Sequence, residues 1–303
     1  MKIKKVQKYK YTLGKDLISI TCIAYKQKIS LGDGIIMSKF EQQCRQKLLD
    51  KDFYHYFQKR LTKLIGLIEG DMKREKNDYV EFMVELQYQQ FSLDYTVGKS
   101  CDELFDRMEH IVKLIKNSND YVDKYNLANP DDEMRIAILT EYFTAETLSN
   151  LLGLCILFER QDWFEIIVKA VDYDQENREK AIDSLIAMKI PDYPITEEKT
   201  PRMLSFRNPL YKAIHAEKPK DTLKFLNEYL RRWYDGLRKS GYVYMDSHLN
   251  QQGDSRDCCS FVGYWCFEAA AVAYLKNIDD STLHRFIYYP KDMVEYARGQ
   301  LIS

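Results

Sequence analysis

The 303 residues are enough for one large domain or two, and a net charge of −1 conceals an uneven charge distribution. Residues 101–200 hold 22 acidic and 11 basic side chains, whereas residues 1–40 hold nine lysines and two aspartates, so the chain lacks the basic character typical of direct nucleic-acid binding. The seven cysteines show no C-x-x-C spacing and no apolar stretch is long enough to span a membrane, which together predict a cytoplasmic protein with free thiols.

Residues 1–37 are predicted to be an N-terminal extension with a short β segment. Apolar and polar residues alternate over residues 18–24, as in a strand, and residues 29–37 are the candidate partner strand of a hairpin.

A helical period begins at residue 38 and defines an N-terminal helical region over residues 38–190. The pattern predicts a first helix over residues 38–70, with Ser38 and Glu41 as a capping box. Two further helices are predicted over residues 78–97 and from residue 102 to about 116, followed by a connection over residues 117–129. A long helix is predicted from residue 130 to about 158, and two short ones over residues 163–171 and 176–189.

Four of the seven prolines fall within residues 191–209, which we interpret as a connection between two helical regions. The C-terminal helical region, residues 210–303, contains a helix after Pro219 with a continuous apolar stripe, and Gly241 is placed to end it. The succession of helices predicts an all-α fold, an array of antiparallel helical hairpins.

The segment from Gly263 to Leu275 is predicted to be a helix that is apolar on every side and therefore buried. Glu268 is its only charged residue, and a buried carboxylate requires a hydrogen-bonding or charged partner. The sequence offers His248 or an arginine for this role.

Asp246, His248 and Glu268 also allow an enzymatic interpretation, in which they bind a metal or act as acid and base in a metal-dependent hydrolase. The sequence lacks the spacing of a recognised metal site or a nucleophile motif. A buried hydrogen-bonded network is the favoured interpretation, with no catalytic residue, metal or cofactor.

Five spaced motifs over residues 230–295 resemble the C-terminal signature of the PoNi family, immunity proteins that protect bacteria from PoNe-type DNase toxins. They are Trp233-Tyr234, Asp246-Ser247-His248, the run from Gly263 to Ala271, Asp279-Asp280-Ser281, and Tyr288 to Asp292. Residues 46–50 and 94–98 are similar to the N-terminal region of that family. The signature residues predicted to be structural are Trp233, Tyr264, Trp265, Glu268, Asp279, Asp280, Tyr289, Pro290 and Asp292; the three aspartates also suit helix starts.

The resemblance implies a mainly helical, non-enzymatic protein that binds a cognate toxin, a PoNe-type DNase. The acidic middle of the chain is suited to attract a basic nuclease, and the polar loop after Gly241 is suited to shorter-range contacts. The predicted partner-binding residues are Asp131, Asp132, Glu133, Asp172, Asp174, Glu176, Tyr242, Tyr244, Asp246 and His248. The alternatives are that these acids form only a solvated face, or that the chain is a helical scaffold without a toxin partner.

Overall fold

The computed structural model describes residues 6–13, 16–23, 39–72, 80–130, 145–172, 179–196, 202–242 and 244–300. Outside an N-terminal β-hairpin, these residues form α-helices joined by short 3₁₀ turns. Successive helices pack in pairs, which confirms the predicted all-α array of helical hairpins. The α-helices are α1 (Lys39–Gln43), α2 (Lys51–Met72), α3 (Val80–Val97), α4 (Cys101–Ala128), α5 (Ala145–Leu157), α6 (Gln161–Asp172), α7 (Lys180–Ala187), α8 (Asn208–His215), α9 (Pro219–Ser240), α10 (Phe267–Leu275) and α11 (Lys291–Gln300).

The N-terminal hairpin consists of strands β1 (Val6–Leu13) and β2 (Asp16–Ile23), which pair antiparallel. The predicted strand at residues 18–24 therefore corresponds to β2, but its partner is β1, which precedes it. Residues 29–37, the predicted partner, lie outside the described residues.

The first predicted helix is interrupted between α1 and α2, where the Arg45 N–H donates to the carbonyl of Thr96 at 2.8 Å and not to the preceding turn. The Asp50 carboxylate accepts the backbone N–H of Phe53 at 2.8 Å and starts α2. The Gln46 amide reaches the other end of the chain, where it accepts the N–H of Tyr264 at 2.9 Å and donates to the carbonyl of the same residue. Ser38, predicted to cap the first helix, lies outside the described residues.

Helix α4 is longer than the sequence pattern predicted. Ser100 and Glu103 form a capping box at its start, and the helix continues through the predicted connection at residues 117–129 as far as Ala128. Ser118, Asn119 and Val122 are buried, and the Asn119 side chain donates to the carbonyl of Ile166 in α6 at 2.9 Å. Packing against α6 therefore outweighs the low helix propensity of this polar stretch.

Helix α10 is buried from Phe267 to Ala273, as predicted, but it begins at Phe267 and not at Gly263. Gly263 adopts a positive φ of 106°, which is incompatible with a helix start there. The Asn150 side chain of α5 accepts the Phe267 N–H at 2.9 Å and so satisfies one free donor of the first turn.

Buried apolar side chains from both sides of the proline-rich stretch pack in one core. Phe206, for example, stacks on Tyr229 of α9 with the ring centroids 6.3 Å apart, and both belong to the cluster that includes Phe91 of α3. Helix α10 packs mainly on α5, across this stretch in sequence. The division into regions at residues 191–209 stays a prediction about chain organisation.

Gly153→Ala is expected to lower the free energy of unfolding by about 1–3 kcal/mol, the usual range for overpacking. A β-carbon at Gly153 would lie 2.7 Å from the carbonyl carbon of Phe267 and 2.8 Å from the backbone nitrogen of Glu268, so α5 and α10 would have to separate. Urea denaturation followed by circular dichroism measures the change. The matched control is Gly66→Ala in α2, where an added β-carbon meets no atom within 4 Å and alanine favours the helix. A Gly153→Ala variant as stable as the Gly66→Ala variant would contradict this close approach.

Candidate functional site

A fully buried arginine, Arg207, joins three segments of the chain. It lies at the end of the 3₁₀ helix Arg202–Arg207, and its guanidinium donates to Glu146 of α5 at 2.8 Å and to Glu179 before α7 at 3.2 Å. It also donates to the Ser149 hydroxyl at 2.8 Å. Both carboxylates are buried, so this ion-pair group is shielded from solvent.

Glu268 lies in the same interior and is fully buried and hydrogen-bonded, as predicted. One carboxylate oxygen accepts the Tyr229 hydroxyl at 2.6 Å and the Trp233 indole N–H at 3.3 Å, and the Cys266 thiol lies 3.2 Å from it. The prediction that His248 or an arginine satisfies Glu268 is wrong in the described structure, because its hydrogen-bond donors are neutral. A hydroxyl and an indole avoid the cost of desolvating another charge.

The buried acids and Arg207 shift each other's pKa values. Burial raises the pKa of Glu146 well above its usual value, and the nearby Glu268 raises it further, although Arg207 opposes the shift. Burial also raises the pKa of Glu179. Burial alone would lower the pKa of Arg207, but Glu179 and the other neighbouring acids raise it more, so the guanidinium stays charged.

A cleft opens from the protein surface toward this network. We call it the acidic cleft; its main lining residues are Glu85, Tyr88, Glu146, Trp233, Tyr242 and Tyr244. The cavity within it has a volume of about 30 Å³, roughly twice what one water molecule needs. It therefore accommodates a group of a few atoms.

Glu85 of α3 is the distinctive side chain of the acidic cleft. One of its carboxylate oxygens accepts the Tyr244 hydroxyl at 2.8 Å and the Gln89 amide at 3.1 Å. The other oxygen is buried and has no hydrogen-bond partner among the described residues. Burial raises the pKa of Glu85, and the two hydrogen bonds only partly oppose this.

The predicted partner-binding residues fall into two sets. Tyr242 and Tyr244 line the acidic cleft and form an edge-to-face pair with centroids 5.2 Å apart. Asp246 and His248 are half-buried nearby, whereas Asp172 is exposed at the end of α6 and accepts the Tyr193 hydroxyl at 2.6 Å. The remaining predicted residues lie outside the described part of the chain: Asp131, Asp132, Glu133, Asp174 and Glu176.

Asp246, His248 and Glu268 are each bonded to a different aromatic side chain. Asp246 accepts the Tyr234 hydroxyl at 2.8 Å, and the His248 ring nitrogen Nδ1 lies 2.8 Å from the Tyr264 hydroxyl. Burial lowers the pKa of His248. Within the described ranges, no three His, Cys, Asp or Glu side chains are grouped so that they could hold a metal ion. The three side chains thus belong to a hydrogen-bonded framework with aromatic residues.

Two aspartates of the signature do more than start helices. Asp280 is buried and accepts from Arg298 at 2.8 Å and from the Tyr289 hydroxyl at 2.7 Å. Asp292 pairs with Arg45 at 2.6 Å and so connects α11 to the segment that follows α1. The predicted positions at helix starts are confirmed: Asp279 is exposed and accepts the N–H of Ser281 at 3.0 Å, Asp280 directly precedes the 3₁₀ helix Ser281–Leu283, and Asp292 lies in the first turn of α11.

Sequence reasoning missed Glu85, Glu146, Glu179 and Arg207. Glu146 is the only charged residue of the apolar helix α5, the same signal that identified Glu268 in α10. Arg207 and Glu179 have no comparable local signal, because their partners are distant in sequence.

Comparisons with known proteins agree with the resemblance. Residues 181–293 match the family described as PoNe immunity proteins (PoNi), C-terminal. The fold is similar to that of protein PA2201 from Pseudomonas aeruginosa, a crystal structure with a TM-score of 0.60 and 16% sequence identity, covering 85% of this chain and 91% of that chain. No curated protein sequence matches significantly.

None of the helices in the described ranges has the length and apolar character needed to cross a membrane.

Arg207→Met is expected to lower the free energy of unfolding by about 3–5 kcal/mol, because Glu146 and Glu179 would remain buried without their cation. Urea denaturation at neutral pH measures the loss. Arg232→Met is the matched control, since Arg232 pairs with Glu228 on the surface of α9 and such pairs contribute at most about 1 kcal/mol. Equal stabilities of the two variants would show that Arg207 is not required to offset the buried acids.

Glu85→Gln is expected to change how stability depends on pH. Because folding raises the pKa of Glu85 above its usual 4.5, its stabilising contribution is complete below pH 4.5 and is lost as pH rises through the folded-state pKa. The stability of the wild type relative to the variant should therefore fall over that interval, by at most about 1.4 kcal/mol per pH unit, and then level off. Urea denaturation of both proteins at a series of pH values measures the difference. Parallel pH profiles would contradict a raised pKa.

Proposed function

We propose that this chain, which carries the C-terminal domain of the PoNi family of immunity proteins, binds and neutralises a PoNe-type DNase toxin. The observation that carries the proposal is the match of residues 181–293 to that family. The protein would act in the cytoplasm, where the toxin reaches DNA, by forming a complex and not by catalysis. It would protect the producing cell and its kin from that toxin.

The described geometry supports a binding role. Asp246 and His248 are held by hydrogen bonds to Tyr234 and Tyr264, so this part of the C-terminal region offers preorganised side chains to a partner. Preorganisation favours tight binding because less conformational freedom is lost on association. Tyr242 and Tyr244 present aromatic rings with polar tips, a common feature of protein interfaces. We propose that these tyrosines, together with Asp246 and His248, make short-range contacts with the toxin.

The acidic middle of the chain supplies the long-range component of the proposal. The net excess of acidic residues between 101 and 200 would attract a basic nuclease and accelerate encounter. Two mechanisms of neutralisation are open: the immunity protein occludes the DNase active site, or it holds the toxin from a second face.

The direct test combines binding and protection with a PoNe-type DNase toxin, sought first among the products of the genes next to the one for this protein. Purified protein should form a stable complex with the toxin and inhibit DNA cleavage, and co-expression should rescue cells that produce the toxin. Absence of both complex formation and rescue would overturn the proposed function.

Charge reversal tests the electrostatic part. Changing Asp172, Asp174 and Glu176 to Lys, or Asp131, Asp132 and Glu133 to Lys, should slow association with the toxin by about tenfold or more at low ionic strength. The effect should largely vanish near 1 M salt, where the Debye length is only about 3 Å. Stopped-flow fluorescence at low and high salt measures the association rates.

The matched control carries the same charge change at exposed acids elsewhere, with Asp52, Glu69 and Glu295 changed to Lys. A smaller effect in this control assigns the steering to the acidic middle and not to net charge. If neither test variant associates more slowly than the wild type at low salt, the acidic middle is only a solvated face.

A further inference from the structure

The acidic cleft contains two buried carboxyl groups that differ in their charge partners. Glu146, deeper in the molecule, is bonded to Arg207 at 2.8 Å. Glu85 has only the neutral donors Tyr244 and Gln89, and its second oxygen has no hydrogen-bond partner within the described ranges. A buried carboxylate oxygen in this position costs free energy unless a donor reaches it. The wall of the cleft therefore holds a buried carboxylate oxygen that lacks a hydrogen-bond partner among the described residues.

The walls of the cleft are suited to a flat cation. Tyr88, Trp233, Tyr242 and Tyr244 surround the carboxyl groups with aromatic rings. Aromatic faces attract cations, and a guanidinium also stacks on them while it donates in-plane hydrogen bonds to carboxylates. A cavity of about 30 Å³ suits the end of one side chain and not a larger ligand.

We propose that the acidic cleft is a receptor for the guanidinium of one arginine on the surface of the bound toxin. The arginine would enter the cleft past the paired rings of Tyr242 and Tyr244, donate to the unpartnered oxygen of Glu85 and lie against the aromatic walls. This inference rests on the proposed function for the identity of the partner, whereas the recognition of a guanidinium follows from the cleft itself. It makes Glu85 a specificity-determining residue of the interface.

The first test needs no toxin and uses ethylguanidinium as the probe, with the neutral ethylurea as its control. Titration into the ¹⁵N-labelled full-length protein should shift the indole N–H signal of Trp233 saturably at millimolar concentrations of ethylguanidinium. Ethylurea should leave this signal unchanged, and the Glu85→Gln variant should bind ethylguanidinium at least about tenfold more weakly. No saturable shift in the wild type overturns the proposal, as does an equal response to both probes.

The second test measures toxin affinity. Glu85→Gln keeps an acceptor for Tyr244 and removes the charge, and it should weaken toxin binding at least about tenfold. Glu295→Gln on α11 makes the same chemical change at an exposed position outside the cleft and should leave the affinity unchanged. Circular dichroism and thermal unfolding of both variants establish that they are folded.

The outcomes separate the two proposals. If the wild type binds the toxin and Glu85→Gln binds it equally well, the receptor role of the cleft falls and the proposed function stands. If the wild type does not bind the toxin, the proposed function falls, and the ethylguanidinium titration still decides whether the cleft recognises a guanidinium.

Discussion

The interior of this protein depends on one guanidinium. Arg207 is the cation bonded to Glu146 and Glu179, and Glu268 lies close enough to raise the pKa of Glu146. Charges in this environment are tolerated only when their geometry is fixed, since each unpaired group would carry its full desolvation cost. Arg207 thus fixes the relative positions of three elements: α5, the segment before α7 and the 3₁₀ helix before α8. Helix α10 packs against the same α5.

The acidic cleft is the outer side of this buried network. Glu146 lines the cleft and binds Arg207, while Trp233 lines it and donates to Glu268. A cation entering the cleft would supply a second positive charge to a group of acids that shares one arginine. The surface proposed for recognition and the buried network would then share residues. A substitution in the network would therefore also alter binding at the cleft.

The sequence predicted those features that are encoded locally. The apolar stripe and terminal glycine of α9 identify that helix, and the single charge in an apolar run identified Glu268 as buried and bonded. The features that the sequence did not predict depend on contacts between residues distant in the chain. The helical pattern is interrupted after α1, where the Arg45 N–H donates to the distant carbonyl of Thr96, and Asn119 stays helical where its side chain bonds to α6. The partners of Glu268 could not be chosen from the sequence, because a hydroxyl, an indole or a charged group can each donate to a buried carboxylate.

The packing of α10 on α5 also sets an order of events during synthesis. Helix α5 ends at Leu157 and α10 ends at Leu275, so the ribosome adds 118 residues (275 minus 157) between the two. At about 5–20 residues per second this takes about 6–24 s. Throughout that interval the apolar face of α5 lacks the helix that covers it in the folded protein. Gln46 likewise lacks its hydrogen-bond partner Tyr264. The nascent chain therefore exposes this apolar face of α5 until α10 has been synthesised, and chaperone dependence should be concentrated in that interval.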